Sequence, residues 1–467
     1  MPAAAIALDE KLMPGAHEFD PMRFYKQRQD PDEANLHQFT TTEKNSLHFG
    51  YGKWACPGRV FAMYEIKLIL AYLLLKYEFE FPGEGKRPEN LSAHEVGLGI
   101  YNVFFHPLAR FPGPKLWTAY RLPFVISMVN GNLTHQTKHF HEKYGSIVRT
   151  APDELSFTND AAWRDIHAYR AGHRNFPKSQ LWNTIPNLGK RGPPKKPDHI
   201  LNANDADHSR IRKLFSHSFS EKAVTEQEPL VQSYVDLLIA QLRKQVELNK
   251  GSAISISTWY SFTTFDIIGD LGFGEPFDCL KDAKYHAWVG MLVGQFKAAT
   301  VGLAMQYYPL GRWFMQNLIP QKIIDDVVKH ARFTDEKVRH RLSLEVDRPD
   351  FLSGVLRHND EKGMTMEEIV ETSNIMLVAG SETTALTLSG ITSYLVKNSD
   401  VMIKLVEEVR HTFKTDSDIK PGQVSKLPYL NAVIQEGFRL CPPIPDGFRR
   451  EVRWAAIQFV GSGYQKE

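Results

Sequence analysis

The sequence predicts a mainly α-helical fold with small β-sheets, and three observations carry that prediction. Long stretches repeat their apolar residues at intervals of three and four, only two short stretches read as strands, and 42% hydrophobic content in 467 residues supplies a large core. Length alone suggests about three domains, although a large helical protein can exceed that prior as one unit.

The helical stretches follow in order. Arg59 to Tyr77 lacks Gly and Pro, and Val60, Phe61, Met63, Ile66, Ile69, Leu70, Leu73 and Leu74 recur at helical spacing. Further helices are expected at Asn132 to Tyr144, Asp207 to Phe219, Ala223 to Val246, Tyr260 to Leu271, Gln321 to Leu344, Thr365 to Val396, Val401 to Lys414 and Tyr429 to Leu440. Gly145 to Thr150 and Glu154 to Phe157 are the strand candidates. Gly- and Pro-rich text from Phe81 to Asn90, and Phe111-Pro-Gly-Pro-Lys115, mark rigid breaks, so a segment boundary is expected between roughly 82 and 110. The basic stretch Gly189 to Pro197 reads as a solvated loop.

Composition excludes several function classes. Fifty-six basic against fifty-four acidic residues leave a net charge of +2, which provides no global field for nucleic acid. Cys56, Cys279 and Cys441 are odd in number and widely separated, which argues against a disulfide framework or a paired zinc site and for a reducing compartment. The opening MPAAAIAL has no basic leader, and every apolar run is short, so no membrane anchor is expected.

Phe49-Gly-Tyr-Gly-Lys-Trp-Ala-Cys56-Pro-Gly58-Arg59 surrounds one cysteine with glycines and a proline just before a helix. A tight turn without bulky neighbours lets a thiolate reach a metal, and backbone N–H groups at a helix start favour its charge. Composition alone favours an inert buried cysteine, but Phe49, Gly52, Cys56 and Gly58 fit Phe-x-x-Gly-x-x-x-Cys-x-Gly, which resembles the haem-ligand loop of the cytochrome P450 superfamily. Carried over, the resemblance makes Cys56 the metal ligand and axial thiolate of haem b, and Phe49, Gly52 and Gly58 its loop. Position 54, often basic in the family, is Trp here, with Lys53 beside it.

Ala379-Gly380-Ser381-Glu382-Thr383-Thr384 interrupts an apolar helix. Threonine back-bonding beside a partly solvated Glu explains it equally well in isolation. The hexad is similar to the family's oxygen-activation motif, which implies that Glu382 and Thr383 relay protons while Gly380 permits a local helix distortion. Glu436-Gly-Phe-Arg439 before Pro442-Pro443 is by itself a surface ion pair, yet it resembles the family's buried Glu-x-x-Arg, completed into a triad by Arg23 of Pro21-Met-Arg-Phe24. Asp207 to Ser220 resembles the helix that reaches the haem carboxylates, with Arg212 as a propionate partner and His208 where many relatives carry Trp; a basic solvated face competes for His208. Tyr101 to Lys115 looks like the hinge that follows the anchor in fungal members.

The order differs from that of ordinary relatives, in which Pro-x-Arg-Phe and the cysteine loop come last. Here residues 11 to about 86 resemble the end of such an enzyme and about 99 to 453 resemble the rest, whether through permutation, through fusion of fragments from different fungal subfamilies, or through a misplaced gene boundary; the resemblance thus implies a haem-ligand block at 1–86, a junction at 87–110, a body at 111–453 and a divergent tail at 454–467. The resemblance implies a cytochrome P450-like fold, incomplete or permuted, in which Cys56 faces Thr383 across the macrocycle. It implies a monomeric monooxygenase that oxidises a lipophilic terpenoid- or polyketide-like metabolite with O2 and electrons from NADPH–cytochrome P450 reductase, at the endoplasmic reticulum membrane face or, without an anchor, in the cytoplasm. Phe296 and Ala379 are expected pocket walls. The competing expectation is an inactive fusion fragment that does not bind haem productively.

Overall fold

The computed structural model describes residues 13, 15–16, 20–30, 40, 49, 55–76, 96–167, 176–179, 197–249, 253–308, 310–311, 313, 317, 320–344, 348–359, 363–445, 447 and 449–452, with backbone alone at 73, 75–76, 96–97, 291–299, 417 and 421. The longer elements run in this order: α1 (Arg23–Gln27), α2 (Arg59–Lys76), α3 (Val96–Phe104), α4 (Leu122–Val129), α5 (Leu133–Tyr144), β1 (Ile147–Ala151), β2 (Glu154–Phe157), α6 (Asp160–His167), α7 (Asp205–Ser216), α8 (Glu221–Asn249), α9 (Ile256–Phe273), α10 (Ala287–Gln306), α11 (Gln321–Ser343), α12 (Phe351–His358), α13 (Met366–Lys397), α14 (Ser399–Thr412) and α15 (Pro428–Leu440).

Helix α9 is buried along nearly its whole length and lies against α13, the longest helix. A helix apolar on all sides has no solvent face to offer, so α9 becomes the axis against which α8, α11, α12 and α13 pack. Ile66, Ile69, Leu70 and Leu74 of α2 join Phe265 and Ile268 of α9, Leu377 and Leu388 of α13, and Leu430 and Val433 of α15 in one continuous core. The cysteine-bearing block is thus packed into the same core as the body. Helix α13 starts on a reciprocal cap: Glu368 N–H donates to Thr365 Oγ1 at 3.2 Å, and Thr365 N–H donates to Glu368 Oε2 at 2.9 Å.

β1 and β2 form an antiparallel hairpin in which Ile147 pairs with Phe157, and the ladder is irregular between Arg149 and Ala151. An isolated bridge joins Lys178 to Arg450, with Ser179 N–H on Arg449 O at 3.1 Å and Glu451 N–H on Pro177 O at 2.9 Å. This crossing of distant segments leaves no mark in the sequence, because such short segments carry no period-2 signal.

Within the stretch expected as a junction at 87–110 lies helix α3, in which Val96, Ile100 and Val103 keep helical spacing. Gly99 fits there because the Tyr120 hydroxyl occupies the place of a Cβ. Helices α4, α6, α10 and α12 were also unforeseen; α10 is nearly all apolar, so no stripe marks its period. The basic loop Gly189 to Lys196, Phe81 to Asn90 and the tail at 454–467 lie outside the described residues.

Candidate functional site

Cys56 sits just ahead of α2. Its N–H donates to Phe49 O at 2.7 Å, which closes the loop, and Gly58 O accepts the Ala62 N–H at 2.9 Å as the helix begins. Phe49 rests against Phe438 of α15, ring centroids 5.4 Å apart, so the loop is pinned to the body. A Cβ on Gly58 would make ordinary van der Waals contact with Phe219 at 3.5 Å and with Cys56 Sγ at 3.9 Å. Gly52, Lys53 and Trp54 lie outside the described residues.

The Cys56 side chain is exposed to solvent although protein crowds around it. Burial pushes the thiol's pKa up, while the Gly58 backbone N–H and the Arg212 and Arg59 cations pull it part of the way back. Arg212, half-buried on α7, therefore stands within electrostatic reach of Cys56. His208, one turn earlier, is buried, which removes it from the solvated face that competed for it. Arg59 was not singled out in the sequence, although it follows Gly58 directly; its guanidinium donates to Cys56 O at 3.0 Å and Thr40 O at 3.1 Å and braces the loop.

Helix α13 brings the second group of residues. Leu377, Ser381, Thr384 and Leu388 are buried against the core, while Ala379, Thr383 and Leu386 lie on the other face, with Ala379 and Leu386 exposed. The hydroxyls satisfy themselves: Thr383 Oγ1 donates to Ala379 O, Thr384 Oγ1 to Gly380 O at 2.9 Å and Thr387 Oγ1 to Thr383 O at 2.8 Å. This is back-bonding of the kind polar residues adopt on buried helices. Glu382 is half-buried; its Oε1 has no hydrogen-bond partner among the described residues, and burial raises its pKa. The distortion expected at Gly380 is not observed, since α13 runs unbroken from Met366 to Lys397. Gly380 instead lets α9 approach, because a Cβ there would lie 2.8 Å from Ile268 Cδ1. The Phe296 side chain lies outside the described residues.

Glu436 of α15 is fully buried and gathers four donors. Arg439 donates through Nε and a terminal nitrogen at 2.8 Å each, Arg23 Nε at 3.3 Å, and the Asp20 backbone N–H at 2.8 Å. Both arginines are capped in turn by carbonyls, Arg23 on Gly15 and Arg439 on Ala16. The structure therefore brings Arg23, Glu436 and Arg439 together across most of the chain's length. Asp20 was missed because its contribution is a backbone donor, which no side-chain motif reveals.

The donor chemistry fits a haem bound through sulfur: an accessible thiol at a helix start, arginine beside it, an apolar and hydroxyl-bearing helix face, and a buried carboxyl oxygen with no partner among the described residues. The comparisons agree with that class. The cytochrome P450 family model matches residues 1–105 and 112–458. The chain is 41% identical over 360 residues to cytochrome P450 monooxygenase astA of Talaromyces wortmannii, covering 77% of this chain and 71% of that one. It is 38% identical over 358 residues to cytochrome P450 monooxygenase lcsI of Purpureocillium lilacinum, covering 76% and 68%. It is also 38% identical to an averantin hydroxylase of Dothistroma septosporum, covering 78% and 66%. Fold, site and relatives define an oxidoreductase of the monooxygenase class. The chain belongs to the cytochrome P450 family, whose cofactor is haem.

Proposed function

We propose that the chain is a haem-thiolate monooxygenase in which Cys56 holds the iron of haem b, and that it oxidises a lipophilic secondary metabolite of terpenoid or polyketide type. The observation that carries this reading is the accessible Cys56 thiol at the start of a helix that packs against the Glu382–Thr383 helix. When bound, haem supplies the redox chemistry that activates dioxygen.

The chain's own residues do the rest. Cys56 binds through its sulfur, and the Gly58 N–H with Arg212 and Arg59 offsets the cost of holding negative charge there. Arg212 and His208 would hold the cofactor's carboxylates. Glu382, whose burial favours its protonated form, would hold a proton at a carboxyl oxygen beside Thr383 in the same helix turn. Thr383 Oγ1 donates its proton to Ala379 O and keeps lone pairs that can accept a hydrogen bond. Ala379 and Leu386 give that face an apolar lining that excludes water and suits a lipophilic substrate.

The block order belongs to the same proposal, with residues 1–86 serving as the cysteine block of a body at 111–453. The Arg23–Glu436 contact between the two supports it. NADPH–cytochrome P450 reductase is the proposed electron donor, and the working form is a monomer. Among the described residues no helix is long and apolar enough to cross a membrane. Exposed Leu98, Ile100, Tyr101, Phe104 and Phe105, with Arg110 and Lys115 nearby, support contact with the endoplasmic reticulum surface.

The test is spectroscopic. Reduced protein with carbon monoxide is expected to give the red-shifted Soret band of thiolate-bound haem, and Cys56→Ala is expected to abolish it. Absence of haem uptake by the wild type, or an unchanged band in Cys56→Ala, would overturn the reading in favour of an inactive fragment.

A further inference from the structure

Helix α7 is tied to the start of α13 by a forked ion pair that the site described above leaves unused. Arg210 donates through one terminal nitrogen to Glu368 Oε1 at 2.6 Å and through the other to Glu368 Oε2 at 2.9 Å. The first nitrogen also donates to Asp207 Oδ1 at 2.9 Å, and the second to Gly363 O. Both acids belong to helix caps. Asn204 Oδ1 accepts the Ala206 and Asp207 N–H groups at 2.9 and 3.0 Å while its Nδ2 donates to Asp207 Oδ2 at 2.6 Å, and Glu368 closes the cap on Thr365. One guanidinium therefore joins the first turns of two helices. A lone solvated ion pair would contribute little, but the Glu368 side chain is only 13% exposed, and a fork on a carboxylate fixes direction as well as distance. Arg210 holds the Glu368 carboxyl below its ordinary range, so the pair is ionised at neutral pH.

The placement of Arg210 on α7 gives the clamp its meaning. His208 and Arg212 are four residues apart and share one face of the helix, whereas Arg210, midway between them, leaves from the opposite side. His208 is buried, and Arg212 stands in the field of Cys56. We infer that Arg210 is a positioning residue for the cofactor pocket: its fork on Glu368 sets the pitch of α7 against the start of α13, and so the approach of His208 and Arg212 to the cofactor's carboxylates. Arg210 itself reaches the pocket only through the helix that it anchors. The inference rests on the proposed haem reading of the site.

Haem release from the loaded full-length chain, followed at neutral pH as transfer to excess apomyoglobin, tests it. Arg210→Gln and Glu368→Gln are each expected to speed release on the order of tenfold, as loss of a supporting contact behind a ligand does. The double variant is expected to release no faster than either single one, because both changes open the same clamp. Thr365→Ala loosens the same helix start but leaves the fork in place; it is expected to lower the denaturation midpoint and to leave release unchanged. Release at the wild-type rate in both single variants, additive acceleration in the double variant, or equal acceleration by Thr365→Ala would overturn the inference. Carbon monoxide spectra of the same samples report on Cys56 separately. A wild type with the thiolate band and variants with unchanged release sinks the clamp alone, whereas a wild type that takes up no haem sinks both readings.

Discussion

Two of the seams between the cysteine block and the body are built on opposite principles. At the α1–α15 seam the fully buried Glu436 is ionic and saturated, with two arginines and a backbone N–H around it. At the α2–α13 seam the equally buried Glu65 is surrounded by aliphatic side chains and one threonine. The first seam gains specificity from directional donors, since only one register satisfies four hydrogen bonds at once. The second gains its stability from apolar burial, and there a carboxyl is tolerated only when neutral. A buried glutamate by itself therefore says nothing about stability; what decides is whether its charge is matched.

The largest expected effect breaks the charged seam. Glu436→Met strands two buried arginines and should cost on the order of 3–5 kcal/mol, read as a fall in the denaturation midpoint or as insoluble protein. Arg23→Met should cost less than Arg439→Met, since Arg23 makes one contact with Glu436 at 3.3 Å and Arg439 makes two at 2.8 Å. Equal losses would mean that the seam does not depend on matched charge.

Next in size is acid lability at a second charged junction, which extends the comparison to the hairpin. Glu154 of β2 accepts from Arg121 and Arg449 at 2.7 Å each. Burial alone would raise its pKa, but Arg449 and Arg121 hold it down to about 2 from an ordinary 4.5. A carboxyl depressed in the folded state contributes stability above its unfolded pKa, and that contribution is lost as the pH falls through the folded value. The destabilisation by Glu154→Gln should therefore be full at pH 5.5, about 3 kcal/mol, and should shrink steadily between about pH 4.5 and pH 2. A pH-independent difference would remove the electrostatic account.

The two seams were unequally legible in the sequence. Glu436, Arg439 and Arg23 stood in recognisable spacings, and so did Cys56 and the Glu382–Thr383 pair, because each depends on local residue types at fixed intervals. Helix α2 was equally plain from its apolar period, yet Glu65 passed unnoticed within it: a charged residue on an amphipathic helix ordinarily marks the solvated face. Only the packing of α13 and α8 on the other sides of α2 buries it, and that is tertiary information. Gly380 is similar, since its motif suggested helix distortion and the deciding fact is Ile268 on a neighbouring helix.

The smallest expected effect is the sharpest contrast with the first. Glu65→Met replaces the neutral carboxyl by an apolar chain of similar length, in surroundings that already exclude water. It removes two carboxyl oxygens that have no hydrogen-bond partner among the described residues and relieves a desolvation cost of about 1–3 kcal/mol. The net change in unfolding free energy should be within about 1 kcal/mol of zero and can be of stabilising sign, where the same substitution at Glu436 destabilises several-fold more. Paired denaturation curves at pH 7 measure both. A loss at Glu65 as large as that at Glu436 would show that Glu65 is ionised and held by a matched cation, and the two seams would then be one design.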